Sequence, residues 1–211
     1  MSQPPTVFIV DDDPLSRASM SALVESARAP CESFRSAEEF LAQVDAERPG
    51  CLVLDLRMPG MSGIDLITRL SETKRGIPVV LISGFASVSI AVKAMQLGAV
   101  SVIEKPYRDQ ELWDAIFRAL QLDAARRDSG ERYREIQSRF DKLDAHEREI
   151  LEAMVAGISN KAIAARFDLS LRTVENRRAR VFKQTGTESI AELVKLVMEL
   201  KALGLGTNKA N

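Results

Sequence analysis

Six side chains that could act together on an anion stand at the ends of short apolar runs. Asp11, Asp12 and Asp13 directly follow Val7–Val10, Asp55 follows Cys51–Leu54, and Ser83 follows Val79–Ile82. Lys105 comes just after Ser101–Ile103. Carboxylates gathered at one place repel one another and call for a cation, and an all-oxygen set suits Mg²⁺. A lysine opposite them would neutralise a further anion, such as a phosphoryl group, while a serine hydroxyl and backbone N–H groups hold its remaining oxygens. The chemistry this implies is an aspartate that accepts a phosphoryl group, with Mg²⁺ stabilising the transferred charge. Asp13, next to Pro14, is read as a helix cap, whereas Asp11, Asp12, Asp55 and Lys105 together are read as the site.

The positioning of these residues follows from the elements around them. The continuous apolar runs at 7–10, 51–54, 79–82 and 101–103, with a weaker one at Cys31–Phe34, alternate with helix-period segments. Those segments start at Pro14, after Ser36 (a capping box with Glu39), after Ser62-Gly63, at Val88 and near Asp109. Buried strands separated by helices indicate a parallel sheet covered on both faces. The expected fold is therefore a five-stranded, doubly wound α/β domain over residues 1–122. Such sheets bind ligands at the carboxyl ends of their strands, where all six residues lie.

The chain has 211 residues with 45% hydrophobic side chains, enough for a packed core and against wholesale disorder. Aromatics are only 5%, which argues against stacking platforms and sheet-rich sandwiches. No apolar run approaches the ~20 residues of a membrane span, and the start lacks a signal-peptide pattern. The expectation is a soluble, cytoplasmic protein without a membrane partner. Cys31 and Cys51 give no disulfide framework and are read as reduced, buried thiols.

The net charge of −1 hides a polarity. Residues 1–122 carry 12 basic against 16 acidic groups, or −4, and residues 143–211 carry 11 against 9, or +2. Within the latter, 160–183 holds seven basic and two acidic residues, a local +5. From Asp144 onward the pattern is helical throughout, in four segments: 144–156, 160–166, 171–184 and 190–203. Gly157 and Gly186 end helices, Ser159, Ser170 and Thr187 are read as caps, and the tail from Gly204 as frayed. Residues 143–211 thus form a small all-α, four-helix domain. Between the domains, 123–142 is read as a helical linker in which Tyr133, Ile136, Phe140 and Leu143 recur at 3-4-3 spacing. That stripe either packs on its own domain or forms the seam of a dimerising coiled coil, and the second reading is preferred here. Gly130 is its weak point.

At this stage the sequence resembles a known family. Val10-Asp-Asp-Asp13, Leu54-Asp-Leu-Arg-Met-Pro-Gly-Met-Ser-Gly63, Ser83-Gly84 and Glu104-Lys-Pro106 resemble the flavodoxin-like receiver domain of two-component response regulators. The resemblance implies that Asp55 is the phosphoacceptor and that Asp11, Asp12, Asp55 and the Arg57 carbonyl hold Mg²⁺. It places Ser83 and Lys105 on the phosphoryl oxygens and implies a cis Lys105–Pro106 bond. Val102 stands where the family commonly has a switch aromatic.

Leu143–Leu151, Gly157–Ala164 and Leu169–Arg180 are similar to the LuxR-type helix-turn-helix domain of FixJ/NarL-like regulators. In that comparison the helix from Leu171 enters the major groove of double-stranded DNA, with Ile163, Ala164, Phe167 and Leu169 packed on Val174 and Val181. Glu175 and Asn176 are placed to read base edges, and Lys161, Thr173, Arg177, Arg178 and Arg180 to hold phosphates. Asn176-Arg177 replaces the family's common Val-His. His146 is read as a surface or capping residue. The partners implied are DNA, a cognate histidine kinase and a second copy on activation, with RNA polymerase as a further candidate.

Three other readings compete. A haloacid-dehalogenase-type phosphatase needs an acid two residues after Asp55, where Arg57 stands, so no enzyme is expected. A phosphorylation-independent scaffold would find support only in Val102. A C-terminal domain that binds protein in place of DNA is disfavoured by the basic block and Asn176.

Overall fold

The computed structural model describes residues 4–45, 47–73, 76–84 and 88–208, with side chains described as far as Gly204. The chain divides into two compact units, 1–126 and 127–211. In the first, five parallel strands stand in the order β2-β1-β3-β4-β5: β1 Thr6–Val10, β2 Cys31–Phe34, β3 Gly50–Asp55, β4 Val79–Ser83 and β5 Ser101–Glu104. The helices between them are α1 Pro14–Ser26, α2 Ala37–Gln43, α3 Gly63–Glu72 and α4 Val88–Gln96, and α5 follows β5 over Asp109–Phe140.

Alternation along the strands builds two cores. Phe8, Val10, Leu52, Leu54 and Leu81 face α2 and α3, where Phe40, Leu66 and Leu70 meet them. Val7, Ile9, Cys51, Val53, Val80 and Ile82 face the other way, against Met20, Val24, Leu112, Ile116 and Ala119 of α1 and α5. Both faces being covered explains why these strands read as unbroken apolar runs. β1 ends with its apolar run, while β3 and β4 each take in one polar residue more, Asp55 and Ser83, and Asp11, Asp55 and Ser83 thus lie along one edge.

Local caps fix where the helices begin. Asp13 accepts from the N–H groups of Leu15 and Ser16 and caps α1 ahead of Pro14. Ser62 and Asp65 form a reciprocal capping box on α3. At α2 only half of the expected box exists: Ser36 accepts from the Glu39 N–H, but the Glu39 carboxylate takes the N–H of Arg35, one residue earlier. Cys51 is buried as expected, whereas Cys31 on edge strand β2 is only half-buried.

In the second unit α6 Ala145–Val155, α7 Asn160–Phe167, α8 Leu171–Thr185 and α9 Ile190–Asn208 enclose a third core. Asp144 and Glu147 box the start of α6, and Ser159 and Ser170 cap α7 and α8. Gly186, at φ 68°, ends α8 in the left-handed region that glycine tolerates. Two expectations are corrected here. Thr187 is no cap: it is buried and bonds the Thr185 hydroxyl at 2.9 Å, while Ser189 Oγ accepts the Glu192 N–H and starts α9. The segment from Gly204 continues α9 to Asn208, and the last three residues lie outside the described ones. Part of the stripe at Tyr133, Ile136, Phe140 and Leu143 is buried within a single chain. Ile136 is fully buried, Leu143 belongs to the third core and Phe140 packs on it.

The helix α5 carries straight through Gly130, so the expected linker has no break in it. Its last turns are fastened within the second unit: Arg132 is paired with Glu199 at 2.7 Å, and Arg139 donates to the Thr185 carbonyl at 3.4 Å. Near its middle Asp123, also buried, accepts the Gly50 N–H at the start of β3 at 2.8 Å. Among the described residues no helix is long and apolar enough to cross a membrane.

Candidate functional site

At the carboxyl edge of the sheet, Lys105 reaches across from the end of β5. Its Nζ donates to Asp55 Oδ1 at 2.7 Å and to Asp11 Oδ2 at 3.0 Å, so one ammonium bridges the carboxylate that closes β3 and the one just after β1. Asp55 Oδ2 accepts the Arg57 N–H at 2.7 Å, and Asp11 Oδ1 accepts the Asp13 N–H at 2.9 Å. Asp11 is 1% exposed and Asp55 8%. Two carboxylates this close and this dry need the cation between them, because charges removed from water are tolerated only when paired. Burial by itself pulls the Lys105 ammonium toward a lower pKa, but its bonds to Asp55 and Asp11 outweigh that and hold it above the ordinary lysine value.

Ser83 is buried at the end of β4, and its carbonyl accepts the Lys105 N–H at 2.8 Å, so the ladder between β4 and β5 sets the lysine's starting point. The Lys105–Pro106 bond is cis, as expected. Asp12 is exposed and lies outside the bonded trio. Val102 packs against the first core.

Three residues of this site escaped the sequence reading. Ser16 Oγ donates to Asp11 Oδ2 at 2.7 Å, and Arg17 clamps the Asp11 and Asp12 carbonyls at 2.7 and 2.9 Å. Glu38 Oε1 accepts the Met61 N–H at 3.0 Å and so pins the loop that follows Asp55. For Ser16 and Arg17 a signal existed: they occupy the first turn of a helix capped by Asp13, a short distance along the chain from Asp11. For Glu38 there was none, since its partner is 23 residues away.

The second site candidate is the pair α7–α8. Ile163, Ala164, Phe167, Leu169, Val174 and Val181 pack together in the third core, as the helix-turn-helix reading requires. Their burial leaves Glu175, Asn176 and Arg180 exposed on α8 and Lys161 exposed on α7, with Thr173, Arg177 and Arg178 half-buried beside them. Several of these have local partners. The Thr173 hydroxyl is 2.8 Å from the capping hydroxyl of Ser170, Arg178 lies over the Phe182 ring at 5.9 Å, and Arg180 is 4.0 Å from Glu147. His146 is exposed in the first turn of α6 and approaches Glu149 at 3.6 Å.

Residues 7–117 match the response regulator receiver domain family, and residues 141–197 match the LuxR family of bacterial regulatory proteins. The chain belongs to the two-component response regulators. It is 40% identical over 193 residues to the transcriptional regulatory protein FixJ of Rhizobium meliloti, covering 92% of this chain and 95% of that one. It is 37% identical to the response regulator TodT of Pseudomonas putida, covering 92% and 86%. Among solved structures, the response regulator StyR superposes with a TM-score of 0.88 at 38% identity, over 93% of this chain and all of that one. This regulator is thus of the FixJ type: a receiver joined to a LuxR-type helix-turn-helix, acting as a phosphorylation-dependent, DNA-binding transcription regulator.

Proposed function

We propose that Asp55 is the residue that accepts the phosphoryl group, from a histidine kinase partner. The observation that carries this is the Lys105 ammonium held at 2.7 Å from Asp55 and 3.0 Å from Asp11 at the sheet's carboxyl edge. An Asp55 carboxylate oxygen forms a bond to phosphorus as the phosphorus–nitrogen bond to the kinase histidine breaks, and the electron pair leaves with the imidazole nitrogen. Lys105 and the Ser83 hydroxyl are assigned to the incoming phosphoryl oxygens. Asp11, Asp12 and Asp55, with the Arg57 carbonyl, are assigned to Mg²⁺. Among the described residues no three acidic, histidine or cysteine side chains converge as an all-protein metal cage. When bound, Mg²⁺ supplies charge neutralisation for the transferred group.

The output is assigned to α8. Glu175 and Asn176 face solvent where base edges would be read, and Lys161, Thr173, Arg177, Arg178 and Arg180 flank them as phosphate contacts. The protein acts in the cytoplasm as a regulator and not as an enzyme, beyond hydrolytic loss of its own acyl phosphate. Activation makes a dimer that grips a two-fold-related site, the second head gaining effective concentration from the first; RNA polymerase is the further partner. Light scattering on the full chain in Mg²⁺, with and without beryllium fluoride, tests this. A monomer-to-dimer shift in wild type that Asp55→Asn lacks supports the reading; the same state under all conditions counts against it.

A further inference from the structure

Lys105 has three ammonium hydrogens, and a third acceptor completes its surroundings: Ser16 Oγ, 3.4 Å away. The same hydroxyl donates to Asp11 Oδ2 at 2.7 Å, closing a ring of Asp11, Ser16 and Lys105. A carboxylate offers about four lone-pair sites, two on each oxygen. On Asp11 the Oδ2 pair is taken by Ser16 and Lys105, and one site of Oδ1 by the Asp13 N–H, which leaves a single site on Oδ1. Ser16 is itself fixed, since its N–H donates to the Asp13 carboxylate of the α1 cap at 2.9 Å. We infer that Ser16 is a positioning residue that decides which oxygen of Asp11 faces the divalent cation and holds Lys105 in register between Asp11 and Asp55. The inference rests on the reading of Asp11 and Asp55 as the Mg²⁺ site. Once a phosphoryl group on Asp55 competes for the lysine, Ser16 still supplies Asp11 Oδ2 with a donor, so the Oδ1 site stays turned to the cation.

The test is calorimetric titration of the unphosphorylated full chain with Mg²⁺ alone, for wild type, Ser16→Ala and Ser16→Thr, alongside thermal melts without metal. Loss of a hydrogen bond that orients a metal ligand weakens affinity by ~10-fold or more, and that is expected for Ser16→Ala. Threonine keeps the hydroxyl and is expected to restore wild-type affinity, while the metal-free melting temperature of the alanine variant stays near wild type. Equal Mg²⁺ affinity in Ser16→Ala and wild type would overturn the inference, as would equal weakening in both variants. A wild-type chain that takes up no Mg²⁺ is a different failure, and it would overturn the assignment of the metal site itself.

Discussion

The receiver site and the DNA-reading helix hold charge in opposite ways. At the sheet edge Asp11, Asp55 and Ser83 are each less than a tenth exposed, and Lys105 bridges the two carboxylates. On α8 Glu175, Asn176 and Arg180 stand in water. A site that changes a covalent bond gains from groups fixed before the substrate comes, because no reorganisation is then needed at the moment of reaction. A site that reads DNA is finished by its partner: its charges displace counterions only on contact, so they stay solvated until then. The same residue types therefore carry different consequences when removed.

The largest contrast is expected from Lys105→Ala. It leaves two dry carboxylates facing each other with no cation, and the rate of labelling by acetyl phosphate should fall on the order of a hundredfold, the scale of losing one preorganised donor. Radiolabel incorporation over time checks this, and DNA retention by the unphosphorylated chain should be unchanged. Ile163→Ala strikes the other region through its scaffold. Ile163 is fully buried in the third core, and the cavity should cost about 2–5 kcal/mol of stability in the helical unit. Denaturant melts read by far-UV circular dichroism would show it, with acetyl-phosphate labelling intact.

Smaller effects belong to the exposed face itself. Asn176→Ala should lose about 1–3 kcal/mol of discrimination at one base pair and nothing from phosphoryl transfer. Lys161→Ala should instead weaken binding to all sequences alike and reduce the salt slope by about 1. Binding isotherms on matched and mismatched duplexes at several salt concentrations separate the two.

The smallest is a pH effect. The folded-state pKa of Lys105 lies above its ordinary value of 10.5, so the stability it contributes is fully present below that value. It is lost as pH rises through the higher folded-state pKa. The stability difference between wild type and Lys105→Met should therefore be flat from pH 6 to 9 and shrink only above about 10.5. A difference that faded between pH 6 and 9 would show the bridge is not the one described.

What could be read from the sequence follows the same division. The strands and the residues closing them were plain, because burial on both faces makes an unbroken apolar run and because Asp55 and Lys105 sit where those runs stop. The stripe Tyr133–Leu143 was periodic but ambiguous, since spacing gives a buried face without naming what buries it. In the structure Ile136 is fully buried, Leu143 belongs to the helical unit's core and Phe140 packs on it. Ser16 went unread for a related reason: a hydroxyl in a helix's first turn signals a cap, and only the fold shows it reaching Asp11.

Phosphorylation is expected on the bridged carboxylate that closes β3, Asp55. Intact-mass measurement after incubation with acetyl phosphate and Mg²⁺ tests it most directly, on wild type and Asp55→Asn. One added phosphoryl group is expected on wild type, lost in hydroxylamine as an acyl phosphate would be, and none on the variant. Equal labelling of both proteins would contradict it.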